Sequence, residues 1–212
     1  MNIGVLASTR ATDLQAVIDA IEAKRLNSRI SVVVSDKKDA YALERARKHK
    51  IDAVFVDPKS IGIASVSDKD KRREAFDRKL AAEFDKRKID LIIAIGYMRI
   101  LSRWFVGRYK NKIMNIHPSL LPAFAGGMDK NVHEEVLKAG VKETGCTLHF
   151  VDENVDNGPI IMQKKVKVEK NDTPDSLKEK VQKAEQEVII KALDLYEKGK
   201  IKVNGKKAMI NP

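Results

Sequence analysis

The chain has 212 residues and one cysteine, Cys146. That length buries a sizeable core without staples, and a single thiol excludes both an intrachain disulfide and a thiolate cluster for zinc. A formal net charge of +11 raises nucleic-acid binding, but the cations alternate with acids, as in Asp68-Lys69-Asp70-Lys71-Arg72-Arg73-Glu74, which is the pattern of a solvated helix face.

The opening apolar run, residues 3–7, is far shorter than the ~20 residues of a membrane span and carries no basic leader; the expectation is a soluble, cytoplasmic protein with no membrane attachment. The run reads as a strand, and Ser8-Thr9-Arg10-Ala11-Thr12-Asp13 as a turn feeding a helix from near Leu14, with Asp13 a candidate cap. Leu14, Val17, Ile18 and Ile21 share one helical stripe, Ala42, Leu43 and Ala46 a second, and Phe76, Leu80 and Phe84 a third. Between them, residues 30–34, 53–56, 91–95 and 113–116 read as buried strands. Strands alternating with helices predict an α/β fold, a Rossmann-like, doubly wound and mostly parallel sheet.

Trp104 and Phe105 read as fillers of core or surface grooves, and Gly126-Gly127-Met128-Asp129 as a loop near the pocket, since no apolar strand leads into it. A helix from near Asn131 carries His133. Cys146, after Gly145 in an apolar run, reads as a small buried hydrophobe. Residues 147–151 and 160–168 read as two strands of an antiparallel extension, joined by a loop over 152–158. Asp172-Thr173-Pro174-Asp175 opens a long helix to about Lys198, with a capping side chain, a first-turn proline and acids at the positive dipole end. Gln182 and Glu185, three residues apart, share a face of it. Residues 199–212 read as a peripheral tail.

The chemistry concentrates at Asn115-Ile116-His117-Pro118-Ser119-Leu120-Leu121-Pro122. Asn115 and His117 stand two apart at a strand end, so their side chains point to one face. The two prolines fix the backbone that follows. Joined to the carboxylate of Asp156, they would form a donor, a proton-transfer group and an orienting anion, the set that acyl-group chemistry requires. A strand-end histidine before proline is also a common structural residue, and spacing alone leaves that alternative open. His149 reads as a packing or hydrogen-bonding residue beside this site.

The same Asn115–Pro122 octapeptide, followed by His149-Phe150-Val151 and Asp156-Asn157-Gly158-Pro159-Ile160-Ile161-Met162-Gln163, resembles the signature of the folate-dependent formyltransferases. Gly96-Tyr97-Met98-Arg99-Ile100-Leu101-Ser102 and Ala40-Tyr41-Ala42-Leu43-Glu44-Arg45-Ala46 are similar to the branch that formylates phosphoribosylglycinamide in purine synthesis. The resemblance covers about residues 1–198 and implies one domain, with a phosphate-binding half to about residue 100 and a catalytic, folate-binding half beyond. It implies formyl transfer from 10-formyltetrahydrofolate to the substrate amine, with Asn115, His117 and Asp156 catalytic and neither a metal nor a covalent intermediate. The pterin would lie against Met98, Arg99, Ile100 and Leu101 and against the loop holding Val151, Asp152 and Asp156. The Leu121–Pro122 bond would be cis.

On the acceptor side the family carries a turn of the Ser-Gly-x-Gly-Ser/Thr-Asn kind, whose N–H groups cradle phosphate. Here both glycines are gone, and Asp13 replaces the amide. A carboxylate ~4 Å from a phosphate would cost up to roughly 4 kcal/mol per charge pair, which Arg10 would offset. The resemblance thus assigns Arg10, Ala11, Thr12 and Asp13 to substrate, beside the alternative that 8–13 is only a capping turn. It adds Arg73 near the phosphate, and Gln182 and Glu185 toward the ribose, where surface decoration is the alternative for Glu185. Partners implied are small molecules, without nucleic acid, for a monomer or homodimer. The rival readings are formylation of a different amine, such as an amino sugar, and a non-catalytic relative that binds nucleic acid through its basic surface.

Overall fold

The computed structural model describes residues 1–61, 68–126 and 129–211, apart from the side chains of 61 and 129–131. Gly127 and Met128 of the expected pocket loop lie outside the described residues. Seven strands form one sheet in the order β3-β2-β1-β4-β5-β6-β7. These are β1 (Asn2–Leu6), β2 (Arg29–Ser35), β3 (Ala53–Phe55), β4 (Leu91–Ala94), β5 (Ile113–His117), β6 (Glu143–Phe150) and β7 (Ile160–Lys167). The pairs among β1 to β5 are parallel, and β6 and β7 add antiparallel. The α/β expectation holds.

The parallel strands are mostly apolar because both faces are covered. Ile3 and Val5 of β1, Val33 of β2, Ile93 of β4 and Met114 of β5 point to one core. There they meet α1 (Thr12–Glu22), α2 (Tyr41–Lys48), α5 (Asp129–Lys138) and α6 (Pro174–Glu197). Leu6, Val32, Val34, Ile92 and Ile113 alternate to the other face, against α3 (Lys69–Asp85) and α4 (Arg103–Arg108). Strand order reverses between β1 and β4, which opens a crevice at their carboxyl ends, the usual ligand position in such sheets.

Local chemistry sets the element ends. Thr173 Oγ1 accepts from Ser176 N while the Ser176 hydroxyl accepts in return from Thr173 N, with Pro174 in the first turn. α1 departs from expectation: it starts at Thr12, its cap is Ala11 in the left-handed conformation (φ 44°), and no side chain caps it. Asp13 therefore lies inside the first turn, buried, rather than at the cap. Ser102 caps α4 by accepting from Phe105 N, so the Trp104-Phe105 segment is a short helix, with Phe105 fully buried. The segment read as a tail contains a hairpin, β8 (Ile201–Asn204) and β9 (Lys207–Ile210).

Candidate active site

β5 delivers Asn115 and His117 to one face, and sheet register places His149 of β6 directly opposite Asn115. Asn115 Nδ2 donates to His149 Nε2 at 3.2 Å and to Asp156 Oδ1 at 3.5 Å. His149 Nδ1 lies 2.9 Å from the Phe150 carbonyl oxygen. A carbonyl only accepts, so Nδ1 carries the hydrogen and Nε2 is the acceptor for the Asn115 amide.

Asp156 reaches the pair from the loop between β6 and β7, with its own backbone left-handed at φ 53°. Asp156 Oδ2 accepts from Gly126 N at 2.9 Å and lies 3.3 Å from His117 Nδ1; Oδ1 lies 3.6 Å from His149 Nε2. The other His117 nitrogen, Nε2, donates to the Phe124 carbonyl at 3.0 Å. Gly158 closes the loop where no side chain fits: a Cβ there would stand 1.8 Å from the Phe150 carbonyl oxygen. The Leu121–Pro122 bond, cis, follows Ser119, whose carbonyl accepts from the Thr147 hydroxyl at 2.7 Å.

Burial is the largest influence on Asp156 and raises its pKa. The His149 ring beside it, the His117 charge and the Gly126 N–H together outweigh it and hold the carboxyl below its ordinary value. For His117 burial again leads and wins: its pKa stays below the ordinary histidine value, although Asp156 and the Phe124 carbonyl favour the cation. Near neutral pH the cluster is thus a carboxylate beside a neutral imidazole whose Nδ1 can take a proton.

In the 8–13 turn Ala11 holds φ 44°, a conformation that glycine adopts more readily. Arg10 is exposed, with its guanidinium carbon 5.9 Å from the centre of the Tyr41 ring. Thr12 is exposed at the head of α1, and Asp13 is buried. Glu185 on α6 is only 6% exposed, which removes the surface-decoration alternative. Asp13 and Glu185 converge on Cys146 of β6: burial first, then Glu185 and Asp13, push its thiol up to about 12. Gln182 is half-buried on the turn before Glu185. Arg73 pairs with Asp70 at 3.0 Å, and none of its described contacts joins it to the 8–13 turn.

The folate-side candidates follow β4 and β6, the two sheet neighbours of β5. Met98 and Ile100 are exposed and Leu101 packs into the core. Arg99 lies across the Phe76 ring at 4.4 Å, with its guanidinium 4.0 Å from Asp36 Oδ2. Val151 N donates to the Ile113 carbonyl at 2.9 Å, and Asp152 accepts from Asn154 N at 2.8 Å. His149, read from the sequence only as a neighbour, is part of the cluster; the β5–β6 register was the signal needed to see it.

The formyl transferase family profile matches residues 1–193. The phosphoribosylglycinamide formyltransferase of Escherichia coli (strain K12) is 37% identical over 211 residues, covering 100% of this chain and 94% of that protein. The trifunctional purine biosynthetic protein adenosine-3 of Chironomus tentans is 42% identical over 206 residues, 96% of this chain; the chain spans 14% of that longer protein. The solved structure of glycinamide ribonucleotide transformylase 1 from Symbiobacterium toebii superposes with a TM-score of 0.91 at 38% identity, covering 100% of this chain and 94% of that one. Fold, site and likeness along its length agree, and the chain belongs to the formyl transferase family.

Proposed function

We propose that the chain transfers a formyl group from 10-formyltetrahydrofolate to the amine of phosphoribosylglycinamide, a step of purine synthesis. The observation that carries this reading is the contact of Asn115, His117 and Asp156 around one point beside the crevice. The acceptor amine attacks the formyl carbon, and the carbonyl oxygen becomes anionic. The Asn115 amide supplies a hydrogen to that oxygen; its long 3.5 Å contact to Asp156 is the one most readily exchanged for the oxyanion. Such a donor is worth about 3 kcal/mol of barrier.

The attacking nitrogen must also lose a proton. His117 Nδ1 accepts it beside the Asp156 carboxylate, and the imidazolium so formed adds a second positive partner for the oxyanion. Asp156 takes that proton from His117 Nδ1, 3.3 Å from its Oδ2, and passes it to N10 of the folate as the bond from carbon to N10 breaks, leaving tetrahydrofolate and the formylated amine. The left-handed Ala11 turn at the head of α1, with Arg10, is the reading for the phosphate, and Glu185 for the ribose hydroxyls.

The test follows tetrahydrofolate-product absorbance from a 10-formyl folate donor, with and without phosphoribosylglycinamide, for wild type and His117→Ala. Turnover that requires the acceptor and is lost in the variant is expected. Turnover with an amino sugar but not with phosphoribosylglycinamide would replace this acceptor, and donor consumption without any acceptor would overturn transfer altogether.

A further inference from the structure

One hydroxyl sits under both halves of the proposed site. Ser8 follows β1 and opens the acceptor-side turn, while Met98 lies in the donor-side loop after β4, so the two straddle the crevice where strand order reverses. Ser8 Oγ donates to Asp36 Oδ1 at 2.6 Å and accepts from Met98 N at 3.0 Å. Ser8 N donates to the Gly96 carbonyl at 3.1 Å. Asp36 follows β2, is 4% exposed, and has the Arg99 guanidinium 4.0 Å from its second oxygen.

The direction of these bonds is forced. A backbone N–H only donates, so the Ser8 lone pairs receive the Met98 N–H and the Ser8 proton is left to point at Asp36. Without the carboxylate the hydroxyl can rotate, and its proton then competes with the Met98 N–H for the same space. We propose that Asp36 is a positioning residue: through the Ser8 hydroxyl it holds the acceptor-side turn and the donor-side loop in one arrangement, so that occupation of either half tightens binding at the other. This rests on the formyl-transfer reading, and the coupling is reciprocal by linkage.

The experiment is calorimetric titration with 5,8-dideazafolate, which carries no formyl group and so cannot turn over. It is run with and without saturating phosphoribosylglycinamide on wild type, Asp36→Ala, Ser8→Ala and the double variant. Wild type is expected to bind the folate about fivefold or more tightly when the acceptor is present. In each single variant the ratio falls to within about twofold of one, and the double variant matches the singles because both act through one contact chain. Ser8→Ala removes a half-exposed hydroxyl, so it keeps the test decisive if Asp36→Ala fails to fold. A wild-type ratio of one, or a wild-type ratio retained by the variants, overturns the positioning role while leaving formyl transfer intact. Wild type that binds neither molecule overturns the formyl-transfer reading instead.

Discussion

Replacing Asp77 with asparagine separates the charge of a buried carboxyl from its shape. Asp77 lies on α3, 1% exposed, and its Oδ2 accepts the Ser102 N–H at 2.5 Å, which anchors the end of the loop after β4. Burial pushes its pKa from 3.8 up to about 6; the Ser102 hydrogen bonds and the charges of Arg99 and Arg73 oppose the rise without cancelling it. A carboxyl whose folded pKa exceeds its unfolded value binds more protons when folded, so the folded state loses stability as pH rises from about 4 through about 6. The gap of about two pKa units amounts to about 3 kcal/mol at pH 7, of which about 2 kcal/mol develops between pH 4 and pH 7. The asparagine amide oxygen still accepts from Ser102, so Asp77→Asn keeps the anchor and removes the titration. Urea unfolding at the two pH values measures the difference: the variant's stability relative to wild type should improve by about 2 kcal/mol on going from pH 4 to pH 7. A difference that stays flat or reverses would refute the reasoning that burial outweighs the hydrogen bonds.

Asp156→Asn is expected to keep the fold and to slow formyl transfer by about 10²–10⁴-fold in the absorbance assay; turnover near wild type removes Asp156 from proton transfer. Gly158→Ala sets a Cβ 1.8 Å from the Phe150 carbonyl oxygen, so the loop carrying Asp156 must shift. Urea midpoints should show a loss of about 2–4 kcal/mol, and an unchanged midpoint contradicts the close approach. Ala11→Gly releases a left-handed alanine, a strain of about 1–2 kcal/mol, against about 0.5–1 kcal/mol of added chain entropy. A small gain in thermal midpoint with no rise in acceptor KM is expected, and a loss of stability would show that the turn is not strained.

Much of the architecture is legible in residue order because its signals are local. The parallel strands declare themselves as short, mostly apolar runs, since helices cover both faces, and Asp172, Thr173, Pro174 and Asp175 announce α6 within one turn. Asn115 and His117 are legible as a pair because extended backbone puts alternate residues on one face. Other features depend on which distant segment arrives. His149 joins the cluster only through the β5–β6 register, and Glu185 is buried rather than decorative only because α6 packs across Cys146. Ala11 holds a glycine-like φ that its side chain argues against, because the turn around it is tied to neighbouring strands. Ser8, Asp36 and Met98 meet only because β1 lies between β2 and β4. Periodicity records the face a residue occupies. Its partners across the sheet are set by strand order and register, which are non-local and exist only once the chain has folded.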